Sequence, residues 1–216
     1  SPCWPRWLLA ARPEIERLTY LDADMFFFAS PERIFAAMDQ AHASVLITPH
    51  RFPAWLRRYE RHGKFNVGIL SFRNDAIGRG CLDDWRERCL AWCYDRLEGD
   101  RFADQKYLDH WPERFAGVRV IDHPGANLAP WNLARHVVTK SAGQALSDGR
   151  PVLFFHAHGF EPAGASQGRQ MNLSVYDASS SKILERTIFG PYERALTDAV
   201  GTIAVPLVLD MNRGRT

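Results

Sequence analysis

Arg17-Leu18-Thr19-Tyr20-Leu21-Asp22-Ala23-Asp24-Met25-Phe26-Phe27-Phe28 sets two carboxylates in the middle of a largely apolar run. Residues 17–21 read as a strand that delivers the chain to Asp22. Side chains alternate along an extended chain, so Asp22 and Asp24 share one direction while Ala23 points into the sheet. Two acids in such surroundings are costly to desolvate unless they are paired or metal-bound. Hard oxygen ligands at a strand end suit Mn²⁺ or Mg²⁺ and leave coordination positions for substrate phosphates. The alternative is an exposed turn or an ion-paired couple.

Outward from this run, strand and helix signals alternate. Pro5–Arg12 reads as a short helix. Ser30-Pro31 is an N-cap followed by proline in the first turn, opening a helix to Gln40. Ala43–Thr48 is a buried strand, Pro53–His62 a helix closed by Gly63, and Phe65–Phe72 a strand. Asp75–Leu97 reads as one long helix with weak points at Gly78 and Gly80. Ala103–Trp111 is a further helix, ended by Pro112. Val118–Ile121 and Val152–Phe155 are strands, and Ile183–Val200 is helical with an interruption at Gly190-Pro191. Ala163–Gly168 and Asp177–Ser181 are small-residue loops. Strands separated by helices indicate an α/β fold with a mostly parallel or mixed sheet flanked by helices. Such sheets place their sites at the carboxyl ends of strands.

The composition narrows the classes. At 216 residues, 46% hydrophobic and 24% charged, the chain fits one globular domain. A net charge of +2 without a long Lys/Arg run gives no electrostatic case for nucleic acid or an anionic membrane. No apolar run approaches the ~20 residues of a membrane span. Cys3, Cys81, Cys89 and Cys93 form no CxxC pair and no zinc spacing, which reads as reduced thiols. The expected location is cytoplasmic, or peripheral at the inner membrane face.

Four other segments carry candidate chemistry. Asn66 lies in an apolar strand beside Gly68. Its amide needs partners, which a sugar hydroxyl or a neighbouring loop can supply, and Gly68 admits a close ligand. Asp104 and Gln105 open a helix, as substrate contacts or as a cap. Ala126-Asn127-Leu128-Ala129-Pro130-Trp131-Asn132 combines amides with an aromatic face, a pairing that suits sugars as well as a buried loop anchor. His156 and His158 follow a strand, and a neutral imidazole is a sound metal ligand.

Taken in order, Tyr20-Leu21-Asp22-Ala23-Asp24, Lys64-Phe65-Asn66-Val67-Gly68-Ile69-Leu70, Ala103-Asp104-Gln105-Lys106-Tyr107-Leu108 and Phe155-His156-Ala157-His158-Gly159 resemble the motifs of GT-A-fold glycosyltransferases. The similarity is to the retaining glycogenin-like and galactosyltransferase-like families and to bacterial nucleotide-diphospho-sugar transferases, over roughly residues 1–195. It implies a GT-A, Rossmann-like sheet and a hexosyltransferase-type enzyme. Asp22 and Asp24 would hold Mn²⁺ or Mg²⁺ with His156, and Asp22 would also touch the nucleotide ribose. Asp104, Gln105 and Asn66 would be the catalytic set at the donor sugar. Gly68, Asn127, Trp131 and Asn132 would be substrate contacts. The implied partners are a nucleotide-sugar donor, UDP-linked by preference, and a glycan, lipid-linked or protein acceptor.

Two departures accompany the resemblance. The family follows its histidine motif with a diphosphate-holding Lys, whereas Gly159 leads here to Phe160-Glu161-Pro162-Ala163; Arg169 and Lys140 are the candidate substitutes. The family also places a nucleotide-binding half before the acidic motif. Only residues 1–21 precede it here, too few for a βαβ unit of about 30 residues. The expectation is a partial catalytic domain over residues 1–200 and a tail over 201–216, with the acidic strand central to the intact sheet. Two rival readings stand beside this one. The first is a catalytically degenerate sugar-binding module. The second is a haloacid-dehalogenase-like phosphatase, which Phe26 disfavours where those enzymes want Thr or Val.

Overall fold

The computed structural model describes residues 2–161 and 173–203. The expected loop at 163–168 and Arg169 lie outside them. Helix α1 (Cys3–Ala11) leads to strands β1 (Arg17–Leu21) and β2 (Met25–Phe27) and then helix α2 (Glu32–Gln40). Strand β3 (Val45–Pro49), a 3₁₀ segment (Ala54–His62), strand β4 (Phe65–Arg73) and helix α3 (Ala76–Ala91) follow. The second half contains a 3₁₀ turn (Lys106–His110), helix α4 (Trp111–Arg114) and strand β5 (Val118–Val120). Strands β6 (Val138–Ser141), β7 (Gln144–Ser147), β8 (Arg150–Pro151) and β9 (Phe154–His156) come next, then helices α5 (Lys182–Leu184) and α6 (Gly190–Ile203).

The main sheet has the order β1-β4-β3-β5. It is mixed: β3 and β5 run parallel, and the other two pairings are antiparallel. Alternation along its strands builds two apolar layers. Val45 and Ile47 of β3, with Leu70 and Phe72 of β4, join Trp85 of α3 and Trp111 on one face. Leu46 and Ile69 point the other way, onto Ile34 and Met38 of α2. The chain is therefore an α/β fold with a mixed sheet flanked by helices. Among the described residues β1 stands at one end of the sheet, paired on one edge with β4.

Smaller sheets complete the frame. β2 pairs antiparallel with β9. β6, β7 and β8 form an antiparallel meander that the sequence reading did not contain. Its two turns are Ala142-Gly143 and Asp148-Gly149, all four residues at positive φ. That is the geometry of tight hairpin turns.

Several helices differ from expectation for local reasons. α3 starts at Ala76, with Asp75 as its cap accepting from the Gly78 N–H at 2.8 Å. It ends at Ala91 because Trp92 turns extended and buries its ring. Ala54–His62 is 3₁₀, not α. Pro112 does not end a helix over 103–111; it sits in the first turn of α4, where its missing N–H costs nothing. Gly190-Pro191 does not interrupt the last helix either. A π-turn at Glu185–Phe189 absorbs the proline, and α6 runs on to Ile203, past the expected boundary at residue 200. No helix among the described residues is long and apolar enough to cross a membrane.

Candidate metal centre

The acidic motif lies where the chain changes sheets. The Asp22 N–H donates to the Gly68 carbonyl at 2.9 Å, continuing the β1–β4 ladder. Two residues later the Asp24 carbonyl accepts from Ala157 at 2.9 Å, which continues β2–β9. Ala23 is therefore exposed instead of pointing into the sheet, because the strand has already ended at Leu21.

This switch brings the histidines to the acids. β2 and β9 pair Met25 with His156, so the residue before Met25 meets the end of β9. His156 Nε2 lies 3.1 Å from Asp24 Oδ1 and 3.9 Å from Asp22 Oδ2. Asp24, His156 and His158 can each offer a ligand atom within 4.8 Å of the others. Asp22 is oriented by the Tyr20 hydroxyl, which donates to its Oδ1 at 2.8 Å. Burial pushes the Asp24 carboxyl up, but the hydrogen bond and charge of His156 outweigh it and hold the group below its ordinary pKa. Burial also lowers His158, helped by the charge of His156.

Behind the imidazole lies a chain of fixed polar atoms. The Gly68 N–H donates to Asn66 Oδ1 at 2.8 Å, which settles the orientation of that amide. The same oxygen lies 3.1 Å from His156 Nδ1, so Nδ1 carries the proton and Nε2 faces the carboxylates. A ligand histidine held through its other nitrogen is the usual support of a metal site. Asn66 Nδ2 donates onward to His50 Nε2 at 3.4 Å. Burial lowers the His50 pKa to about 3, so it stays neutral and can accept that bond.

Gly68 has a different neighbour from the one expected. A Cβ at that position would meet Asn66 Oδ1 at 2.5 Å and His156 Nδ1 at 2.6 Å. The glycine makes room for the histidine and its amide support, and it does not line the cleft.

The acids and histidines open onto a cleft of about 490 Å³. Asn66, Asp104, Gln105 and Trp131 line it too, so the structure brings most of the expected site together. Gln105 is held by Nε2 donating to the His62 carbonyl at 3.0 Å. Trp131 is buried; its Nε1 donates to the His50 carbonyl at 3.0 Å, and its ring packs against His156 and His158. Asn127 and Asn132 are not brought to the cleft. Asn132 spends its amide on the carbonyls of His50 and Asn127 and on the Ala129 N–H. Asn127, at φ 61°, donates to the Pro49 carbonyl. Together they clamp the loop whose Leu128 carbonyl accepts from His156 N at 2.8 Å, and so fix the other edge of β9. Lys140 lies in a separate cavity with Arg186 and Arg194.

The chain resembles two bacterial proteins. It is 34% identical over 182 residues to the uncharacterized protein YfnF of Bacillus subtilis, a match covering 80% of this chain and 59% of YfnF. It is 32% identical over 199 residues to the uncharacterized protein YfnD of the same organism, covering 88% of this chain and 62% of YfnD. The chain thus spans about three-fifths of the length of the curated relatives it matches. No protein-family model matches it.

The cleft also contains residues that the sequence reading missed. Tyr59 and Tyr176 pack with centroids 5.8 Å apart, and His62 packs on Phe102 at 4.5 Å. These rings and Asp95 line the cleft together with the acids and histidines. His50 had a usable signal, a polar residue just past a strand's carboxyl end. The others come from loops and 3₁₀ turns without periodicity, and only the fold gathers them.

Proposed function

We propose that this chain carries the metal and acceptor-side half of a GT-A-like glycosyltransferase. It would move a hexose from a nucleotide-diphosphate sugar, UDP-linked by preference, to an acceptor hydroxyl with retention. The observation that carries the reading is the meeting of Asp24 and His156, with Asp22 and His158 beside them, at the mouth of a cleft walled by aromatic rings. The donor set fits Mn²⁺ or Mg²⁺: carboxylate oxygens and one imidazole oriented by Asn66. The ion, when bound, would neutralise a diphosphate leaving group. Asp104 and Gln105 would orient the donor sugar, and the rings of Tyr59 and Tyr176 would pack on the apolar face of a pyranose. Asn66 acts in this reading as a positioning residue behind His156.

A second reading, a sugar-binding module without turnover, is favoured by one observation. Among the described residues, neither Lys nor Arg lines the cleft to hold a diphosphate.

The test is Mn²⁺ titration by calorimetry, followed by nucleotide-sugar hydrolysis. Asp24→Ala should abolish Mn²⁺ binding while the circular dichroism spectrum is unchanged. His156→Ala should weaken binding more than His158→Ala, since His156 alone is held by Asn66. Undiminished Mn²⁺ affinity in Asp24→Ala would end the metal assignment. Mn²⁺ binding without turnover of any nucleotide sugar, in a full-length protein, would favour the binding module.

A further inference from the structure

A second cleft, of about 300 Å³, opens between α2, the end of β5 and the start of β8. Its floor is apolar, with Leu46, Ile121 and Leu153 buried. Its rim carries Arg33, Arg119 and Arg150. Several other arginines are paired, such as Arg6 with Asp83, Arg17 and Arg73 with Asp39, Arg88 and Arg114 with Asp84, and Arg96 and Arg101 with Glu98, while others, such as Arg57 and Arg86, are not. Among the described residues, the three rim arginines have no carboxylate within ion-pair distance. Arg119 is nonetheless held in place, donating to the carbonyls of Ala116 and Val118 at 3.0 Å each.

The fourth polar group is His123. Its Nδ1 accepts from the Gly125 N–H at 3.1 Å, so the proton of the neutral ring sits on Nε2. Burial, with the charges of Arg150, Arg51 and Arg33, lowers its pKa to about 4. Three arginines and His123 therefore line the cleft, each with N–H groups able to donate. Among the described residues Asp122 is the only acid lining it, beside three arginines.

We propose that this cleft is an anion site built for a phosphoryl group, separate from the metal centre. Planar guanidinium forks match phosphate oxygens bidentately, and a single exposed ion pair would be too weak to hold one. The apolar floor accommodates the carbon skeleton of a phosphate ester. The proposal does not depend on the glycosyltransferase reading. The phosphoryl group could belong to a soluble phosphate or to a lipid headgroup, and both are tested.

The experiment uses the 216-residue chain in metal-free, low-salt buffer. Inorganic phosphate and pyrophosphate are titrated by calorimetry, and vesicles of phosphatidylcholine with phosphatidylglycerol are co-sedimented. The variant is Arg33→Ala/Arg150→Ala, at two exposed positions whose side chains make no hydrogen bond or ion pair among the described residues. Arg12→Ala/Arg96→Ala removes the same charge elsewhere. The expected result is saturable binding weakened at least tenfold in the first variant and little changed in the second. Arginine-dependent binding of the free anions assigns a soluble ligand; arginine-dependent binding of vesicles alone assigns a headgroup. Absence of binding to both the free anions and the vesicles, or equal losses in the two variants, overturns the proposal.

Discussion

At the residue scale, the tightest constraint in the centre falls on Gly68. It contributes no chemistry, yet Asn66 Oδ1 and His156 Nδ1 occupy the space its side chain would fill. Gly68→Ala should displace His156 or break its bond to Asn66. Loss of such outer support typically costs 10–100-fold in metal affinity. A drop of about that size in Mn²⁺ affinity is expected, with the overall fold retained, measured by calorimetry beside Asn66→Ala. Unchanged affinity in both would mean that His156 does not depend on this support. The residue types of the site were legible because acids in an apolar run and a histidine after a strand are chemically costly and so conspicuous. The partners of Asn66 and Gly68 were not legible. The contact that explains them joins Asn66 to His156, 90 residues apart in sequence.

At the scale of elements, strands and long helices were readable from period and capping, and short connections were not. β3, β4, α2 and the start of α3 lie close to where alternation and caps put them, while α3 ends six residues short of Leu97. The β6-β7-β8 meander was missed, although Asp148-Gly149 is a recognised hairpin signal, because its strands are short and their alternation weak. Gly78 shows how packing overrides propensity. Within a helix alanine is favoured over glycine by about 1 kcal/mol. Yet a Cβ on Gly78 would lie 2.0 Å from the Arg73 carbonyl oxygen, where α3 closes onto the end of β4. Backbone cannot move aside cheaply, so overpacking should win by roughly 1–3 kcal/mol. Gly78→Ala is expected to lower the urea midpoint, while Gly80→Ala, with no atom nearer than 4.0 Å, is not. Equal midpoints for the two variants would contradict the packing argument.

At the scale of the whole molecule, the histidines with lowered pKa tie stability to pH. Burial lowers His50 from its ordinary 6.5 to about 3, and burial with nearby arginines lowers His123 to about 4. Burial also lowers His62 and His158. Each of these groups is harder to protonate folded than unfolded. Their contribution is complete above 6.5, where neither state binds the proton. Below it the unfolded chain takes up protons that the folded chain refuses, so stability falls with pH, down to about 4 for His123 and about 3 for His50. His50 alone sets a limiting slope of about 1.4 kcal/mol per pH unit. The depressed Asp24 adds a loss of the same sign, confined to more acid solution, because its carboxylate must first be protonated. The metal-free chain should therefore unfold at lower urea at pH 5 than at pH 7, and the difference should shrink in His50→Gln. Coincident urea midpoints at the two pH values would show that these histidines are solvated in the folded chain, and with them the interior from which Asn66 would support His156 in the proposed metal centre.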